Sequence, residues 1–228
     1  MIPITNTIPK ALVPIDGIPI LARQLRQLER LGFYEVLILT GYLSKSVKNY
    51  CENFLTSMHI NCYESDASDS PRERLLKVRD KVNGEFLLIY CDNLIQSDYA
   101  IESVMKSEAP FTFLVEPRFQ GNVAISEKNK ATYFSGLRSP EYKFVELGNI
   151  KVATELFFEL LEKVEDLPSA LAGVSKALDC GYHIVIDSLS SVSTLSRYLD
   201  SEKERFKILL DRDGVLIESM PKLSLIHI

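Results

Sequence analysis

Three charged residues stand beside an apolar segment: Lys10 before one, Asp92 and Asp187 after one. Lys10 precedes the apolar run Ala11-Leu12-Val13, a turn at Asp16-Gly17 and then an amphipathic segment. Asp92 follows the most apolar stretch of the chain, Glu85-Phe86-Leu87-Leu88-Ile89-Tyr90, and Asp187 follows His183-Ile184-Val185-Ile186. Two carboxylates facing one crevice form a hard-oxygen site suited to Mg2+, which takes one or two carboxylates plus substrate phosphates. Spacing alone also fits a solvated surface lysine and an aspartate that only caps a helix or turns a loop. A further pattern lies near the carboxyl end, where Phe206-Lys207-Ile208-Leu209-Leu210 runs into Asp211-Arg212-Asp213-Gly214. Two aspartates follow that apolar stretch at once, and a plain acidic turn is one reading of them.

The elements that must position these residues alternate. Ile20, Leu21, Leu25, Leu28 and Leu31 fall at helical spacing, and Gly32 is a natural stop because glycine accepts the left-handed conformation. Glu35–Thr40 is apolar enough to be a strand covered on both faces. A helix is expected from about Lys45 to Leu55, a strand over His59–Tyr63, a polar loop over Ser65–Ser70, and a helix from Pro71 to about Val82. Strand Glu85–Tyr90 and a helix near Asp98–Ser107 follow. The second half changes character. Phe111–Val115, Asn122–Ser126, Ala131–Gly136 and Lys143–Val152 read as short strands, parted by turns at 127–130 and 138–140, and suggest an antiparallel or mixed extension. Helices near Thr154–Val164 and Pro168–Leu178, strand His183–Ile186, helix Val192–Leu199 and strand Phe206–Leu210 complete the reading. Strand and helix in alternation imply an α/β fold with a doubly wound, mostly parallel sheet, whose ligands sit beyond the carboxyl ends of the strands.

Bulk properties narrow the function classes. Hydrophobic content of 46% and charged content of 25% over 228 residues describe a globular domain with a full core. A net charge of −5 gives no basic footprint for a nucleic-acid polymer. The four cysteines form no Cys-x-x-Cys pair, which argues against zinc or a disulfide framework and suits a reducing cytoplasm. No apolar run approaches membrane-spanning length, and no secretory signal is visible.

Pro9-Lys10-Ala11-Leu12-Val13-Pro14-Ile15-Asp16-Gly17 resembles the segment after the nucleotide-binding loop of sugar-phosphate nucleotidyltransferases, and the resemblance extends over roughly residues 1–200. It implies a Rossmann-type nucleotide-diphospho-sugar transferase fold with a small antiparallel extension. It also implies transfer of a nucleotidyl group to a sugar 1-phosphate of heptose or mannose type, with release of pyrophosphate, in surface-polysaccharide precursor synthesis. By the same likeness Lys10 reaches the substrate phosphates, and Asp92 and Asp187 hold Mg2+. Gly121, Asn122, Gly148 and Asn149 line the sugar-phosphate pocket. Arg138 stands near where the family often carries a lysine, with a plain surface charge as its other reading. The implied partners are a nucleoside triphosphate, GTP ahead of the others, and a sugar 1-phosphate, with a homo-oligomer left open. Ile208–Leu216 resembles the first motif of haloacid-dehalogenase-type phosphatases, implying Asp211 as nucleophile and Asp213 as acid/base.

Several positions depart from the family pattern. Cys91 replaces a usual glycine, Asp187-Ser188-Leu189-Ser190 replaces Asp-x-Gly-Thr, and Ser68–Arg74 replaces Leu-Gly-Thr-Ala-Gly. Nowhere do glycines stand close enough to build the Gly-Gly-x-Gly-Thr-Arg loop whose amides cradle a triphosphate. The expectation is a nucleotidyltransferase-like domain over 1–200 without its first strand, a linker over 201–205 and the start of a phosphatase over 206–222. Residues 223–228 read as a non-native tail, and the whole as an internal piece of a bifunctional protein with little turnover by itself. The alternatives are a heptose-bisphosphate-type phosphatase and a sugar-phosphate-binding module without catalysis.

Overall fold

The computed structural model describes residues 4–179 and 184–185. Asp187, Asp211 and Asp213, the expected helix 192–199, the linker 201–205, strand 206–210 and the tail 223–228 lie outside the described residues.

A 3-10 turn at Lys10–Leu12 leads into a two-strand hairpin, β1 (Pro14–Ile15) and β2 (Ile18–Pro19). Asp16 and Gly17 at its tip both have positive φ, 50° and 74°, as a type I′ turn requires. Helix α1 (Ile20–Arg30) follows and buries Leu21, Leu25 and Leu28. It ends as expected at Gly32, whose φ of 85° lets Gly32 N–H and Phe33 N–H reach back to Glu29 O and Leu28 O. Strand β3 (Glu35–Thr40), helix α2 (Ser44–Glu52), strand β4 (His59–Glu64) and helix α3 (Pro71–Leu76) continue the alternation. α3 opens on a capping box in which Ser70 and Glu73 each accept the other's backbone N–H, with Pro71 at the first turn.

Next come β5 (Glu85–Ile89), β6 (Asn93–Leu94), α4 (Asp98–Met105), β7 (Phe111–Pro117), β8 (Gly121–Ile125), β9 (Ala131–Ser139) and β10 (Phe144–Ala153). Helices α5 (Thr154–Lys163) and α6 (Leu167–Leu171) precede β11 (Ser175–Asp179) and β12 (Ile184–Val185).

Two expected helices are shorter than their apolar spacing suggests. The one expected over Pro71–Val82 stops at Leu76 and resumes as a 3-10 turn at Arg79–Lys81, because Val78 leaves helical geometry (φ −113°) and enters the core. The one expected over Pro168–Leu178 ends at Leu171. Gly173 takes φ 78°, and Ser175–Asp179 then adds to the sheet parallel to β7, with Ala177 beside Phe113. Leu171 and Leu178 share helical spacing by coincidence; pairing with an available strand edge outweighs the periodicity. Arg138 and Ser139, expected in a turn, continue β9.

The sheet is mixed, in the order β11-β7-β10-β8-β9, with β5 also on β10. β10 is antiparallel to β5, β7 and β8, while β11 is parallel to β7. β7 borders one edge of β10 throughout. The other edge is shared: Phe144 pairs with Val123 of β8, whereas Asn149–Ala153 pairs with β5. Strand alternation sorts the core. Phe111, Phe113 and Val115 pack with Ile150, Val152, Phe157 and Leu161, while Leu114, Val145 and Leu147 face Ile101 and Val104 of α4. β3 and β4 form a separate parallel pair. Among the described residues β3 is hydrogen-bonded only to β4, and β5 only to β10. Yet Val36, Ile38, Leu87 and Ile89 all pack on the cluster built by α1 and α2.

Candidate active site

The candidate site lies where β10 passes from β8 to β5. Its register against β7 shifts between Glu146 and Ile150, and the bulge is built on Gly148 at φ 67°. Gly148 O accepts from Tyr90 N–H at 3.0 Å. The Tyr90 ring and the Asn93 amide occupy the space a β-carbon on Gly148 would need. On the other arm, Asn122 fastens three strands: its amide donates to Ser135 O of β9 at 3.0 Å, and its carbonyl oxygen accepts from Glu146 N–H at 3.1 Å. Gly121 is required by closeness, since the backbone of Phe144 fills the place of its missing side chain.

Beyond the end of β5, Lys10 Nζ donates to Asp92 Oδ2 at 2.7 Å, both side chains partly exposed. α1 holds this loop in place. The buried Gln24 donates its amide to Tyr90 O at 2.9 Å and to Asn93 O at 2.8 Å, and Gln27 donates to Ile95 O at 2.8 Å. Lys10 and Asp92, 82 positions apart, are thus brought together as a cation–carboxylate pair at a strand's carboxyl end.

Glu146 is the group the motifs did not reveal. Its side chain is buried, and it accepts from Gly148 N–H across the bulge. Burial pushes its carboxyl up to about 8; the Asp92 charge adds to this and the Gly148 N–H opposes it. At neutral pH it is therefore a protonated acid. The phenol of Tyr90 is raised well above its ordinary range, first by burial and then by Glu146 and Asp92. One carboxylate, Asp92, carries the site's negative charge, and Lys10 balances it.

Of the residues singled out from sequence, Lys10 and Asp92 meet directly. Gly121, Asn122 and Gly148 join the strand fork behind them. Asn149 is buried there, its amide directed to Leu147 O at 3.4 Å. Arg138 lies on the exposed side of β9, with no ion pair among the described residues. No cluster of three His, Cys, Asp or Glu side chains suited to a metal occurs among the described residues. The sequence places Asn93 with Asp92 at the carboxyl end of its strand. The residues missed were Glu146, Tyr90 and Gln24. Their only sequence signal was polarity inside apolar patterns: an acid within Phe144–Leu147, and glutamines on the buried stripe of α1.

The α/β fold with its mixed sheet matches solved structures of HddC and of UDP-glucose pyrophosphorylase. HddC from Yersinia pseudotuberculosis superposes with a TM-score of 0.68 over 84% of this chain and 90% of its own, at 15% identity. That protein is also known complexed with GMP-PN. In sequence, the chain is 26% identical over 116 residues to the UTP–glucose-1-phosphate uridylyltransferase AglF of Haloferax volcanii, covering 50% of this chain and 48% of that protein. It is also 26% identical over 125 residues to the gamma subunit of translation initiation factor eIF2B of Dictyostelium discoideum, covering 50% and 28%. The chain spans about half the length or less of these curated relatives. No protein-family model matches it. The chain is similar to sugar nucleotidyltransferases in sequence and in fold.

Proposed function

We propose that this chain carries the sugar-phosphate side of a nucleotidyltransferase site, serving transfer from a nucleoside triphosphate to a sugar 1-phosphate. The observation that carries the reading is the Lys10–Asp92 pair beyond β5, on a fold shared with such enzymes. In this reaction an oxygen of the sugar 1-phosphate attacks the α-phosphorus of the triphosphate and pyrophosphate leaves. The protein's task is to align and neutralise charged reactants. Lys10 exchanges its hydrogen bond from Asp92 to an incoming phosphate oxygen. Glu146, held neutral, adds no charge to repel that phosphate. Asn122 and Gly148 fix the fork so that the pocket wall keeps its shape.

Asp92 suits Mg2+ as one carboxylate ligand, because Lys10 engages only its Oδ2 and the residue stays partly exposed. Asp187 is proposed as a second ligand. The cation would supply charge neutralisation at the phosphates. Guanosine triphosphate is the proposed nucleotide, supported by the structural likeness to a protein known with GMP-PN. Heptose or mannose phosphate is the proposed acceptor, supported by the motif resemblance around Lys10. A second reading, a sugar-phosphate-binding module without turnover, draws support from the 26% identity to an initiation-factor subunit. A phosphatase function for Asp211 and Asp213 is a separate proposal that rests on their motif.

The test is pyrophosphate release from GTP and mannose or heptose 1-phosphate by the natural full-length protein, together with calorimetric binding of each substrate. Lys10→Ala should lower kcat/KM by about a hundredfold or more, the loss of a charge-assisted contact strengthened in the transition state. Stability should change by no more than about 1 kcal/mol, since the Lys10–Asp92 pair is partly exposed. Binding of both substrates without pyrophosphate release establishes the second reading. Wild-type activity in Lys10→Ala removes Lys10 from the site.

A further inference from the structure

The helix α1 carries three arginines at helical spacing, Arg23, Arg26 and Arg30. They line a cavity of about 310 Å3 between α1 and the segment Leu94–Gln96, with Ala22 and Ile95 contributing apolar surface. The volume lies at the small end of ligand-binding pockets.

Each guanidinium has five donors, and few of them are committed. Arg23 Nη2 donates to Ile15 O at 2.7 Å, which fixes the group, while its Nε is shielded from solvent with no acceptor among the described residues. Arg26 donates one nitrogen to Glu29 Oε2 at 2.8 Å; the other oxygen of Glu29 is already occupied by Thr56 and Ser57. Arg30 meets Asp98 at 3.2 Å in a largely exposed pair that an incoming anion displaces easily. Among the described residues, three guanidiniums line the cavity and no carboxylate does. Planar forks of this kind match phosphate oxygens two at a time.

We infer that the cavity between α1 and Leu94–Gln96 is a second anion site, taking a small molecule that carries a phosphate or pyrophosphate group. The inference does not depend on the proposed nucleotidyl transfer. Its position gives it a consequence for the first site. Ile95 and Gln96 follow β6, which starts directly after Asp92, and Gln24 and Gln27 tie this segment to the helix bearing the arginines. An anion bridging α1 and Gln96 would brace the Asp92 loop from behind.

The probe is inorganic pyrophosphate at low ionic strength, followed by amide chemical shifts of the 15N-labelled chain and by calorimetry. Saturable shifts are expected at Ile95, Gln96 and Arg26, and they should persist in Lys10→Ala. In Arg26→Ala/Arg30→Ala the affinity at these amides should fall by about tenfold or more, the loss of one or two charge-assisted hydrogen bonds. Gln96→Glu, an exposed substitution that places a carboxylate at the rim, should weaken binding in the same direction and serves if the double variant folds poorly. Shifts confined to the Lys10–Asp92 region and abolished in Lys10→Ala overturn the second site. So does unchanged binding in both rim variants, or no response at Ile95 and Gln96.

Discussion

Replacing Glu146 by glutamine tests the electrostatics of the strand fork most directly. The wild-type carboxyl is raised from 4.5 to about 8 because it is buried. A raised carboxyl binds a proton in the folded state that the unfolded chain has released. Its contribution to stability is therefore complete below pH 4.5 and is lost as pH rises towards 8. One such proton lowers stability by about 1.4 kcal/mol per pH unit across that window. Allowing for partial titration at both ends, stability should fall by about 3 to 4 kcal/mol between pH 5 and pH 8 from this group alone. Glutamine keeps an acceptor oxygen for the Gly148 N–H and has nothing to titrate. Urea unfolding in metal-free buffer is the assay, followed by far-ultraviolet circular dichroism because the chain has no tryptophan. Wild type and Glu146→Gln should be similar at pH 5, with the variant the more stable at pH 8. Parallel pH curves would refute a buried, protonated Glu146.

Two further substitutions examine the same fork. Gly121→Ala forces a β-carbon onto the Phe144 backbone, which cannot rotate away; a cost of about 2 kcal/mol or more is expected, read as a shift in the urea midpoint. A midpoint within error of wild type would show that β8 and β10 are not so closely apposed. Asn122→Ala removes the bonds to Ser135 O and Glu146 N–H, and should cost about 1 to 3 kcal/mol. The Glu146 amide should then exchange with deuterium faster than its neighbours, and unchanged protection there would count against the clamp.

Local rules made much of the fold legible. Gly32 stops α1 as glycine at C′ should, and Glu35–Thr40 is the strand its apolar run implies. Ser70 and Pro71 start α3 at the expected place. What failed was decided by neighbours distant in sequence. Ser175–Asp179 resembles a helix continuation until β7 offers an edge, and only tertiary pairing reveals it as a strand. The site shows the same division. Lys10, Asp92, Gly121, Asn122 and Gly148 belong to motifs and could be named from them, whereas Glu146 could not. A glutamate in a strand is ordinary until burial and the Asp92 charge change its protonation, and neither is written in the residues beside it. Arg138 was named from its position alone, and it lies on the exposed side of β9.

The lateral edges of β3 and β5 carry one more implication. Among the described residues each strand leaves a row of backbone donors and acceptors without a neighbouring strand, and the side chains of Val36–Leu39 and Phe86–Ile89 are only half covered. Such an edge is a template that recognises extended, apolar polypeptide through its main chain. An extended segment paired to either edge would satisfy those groups and cover Val36–Leu39 or Phe86–Ile89.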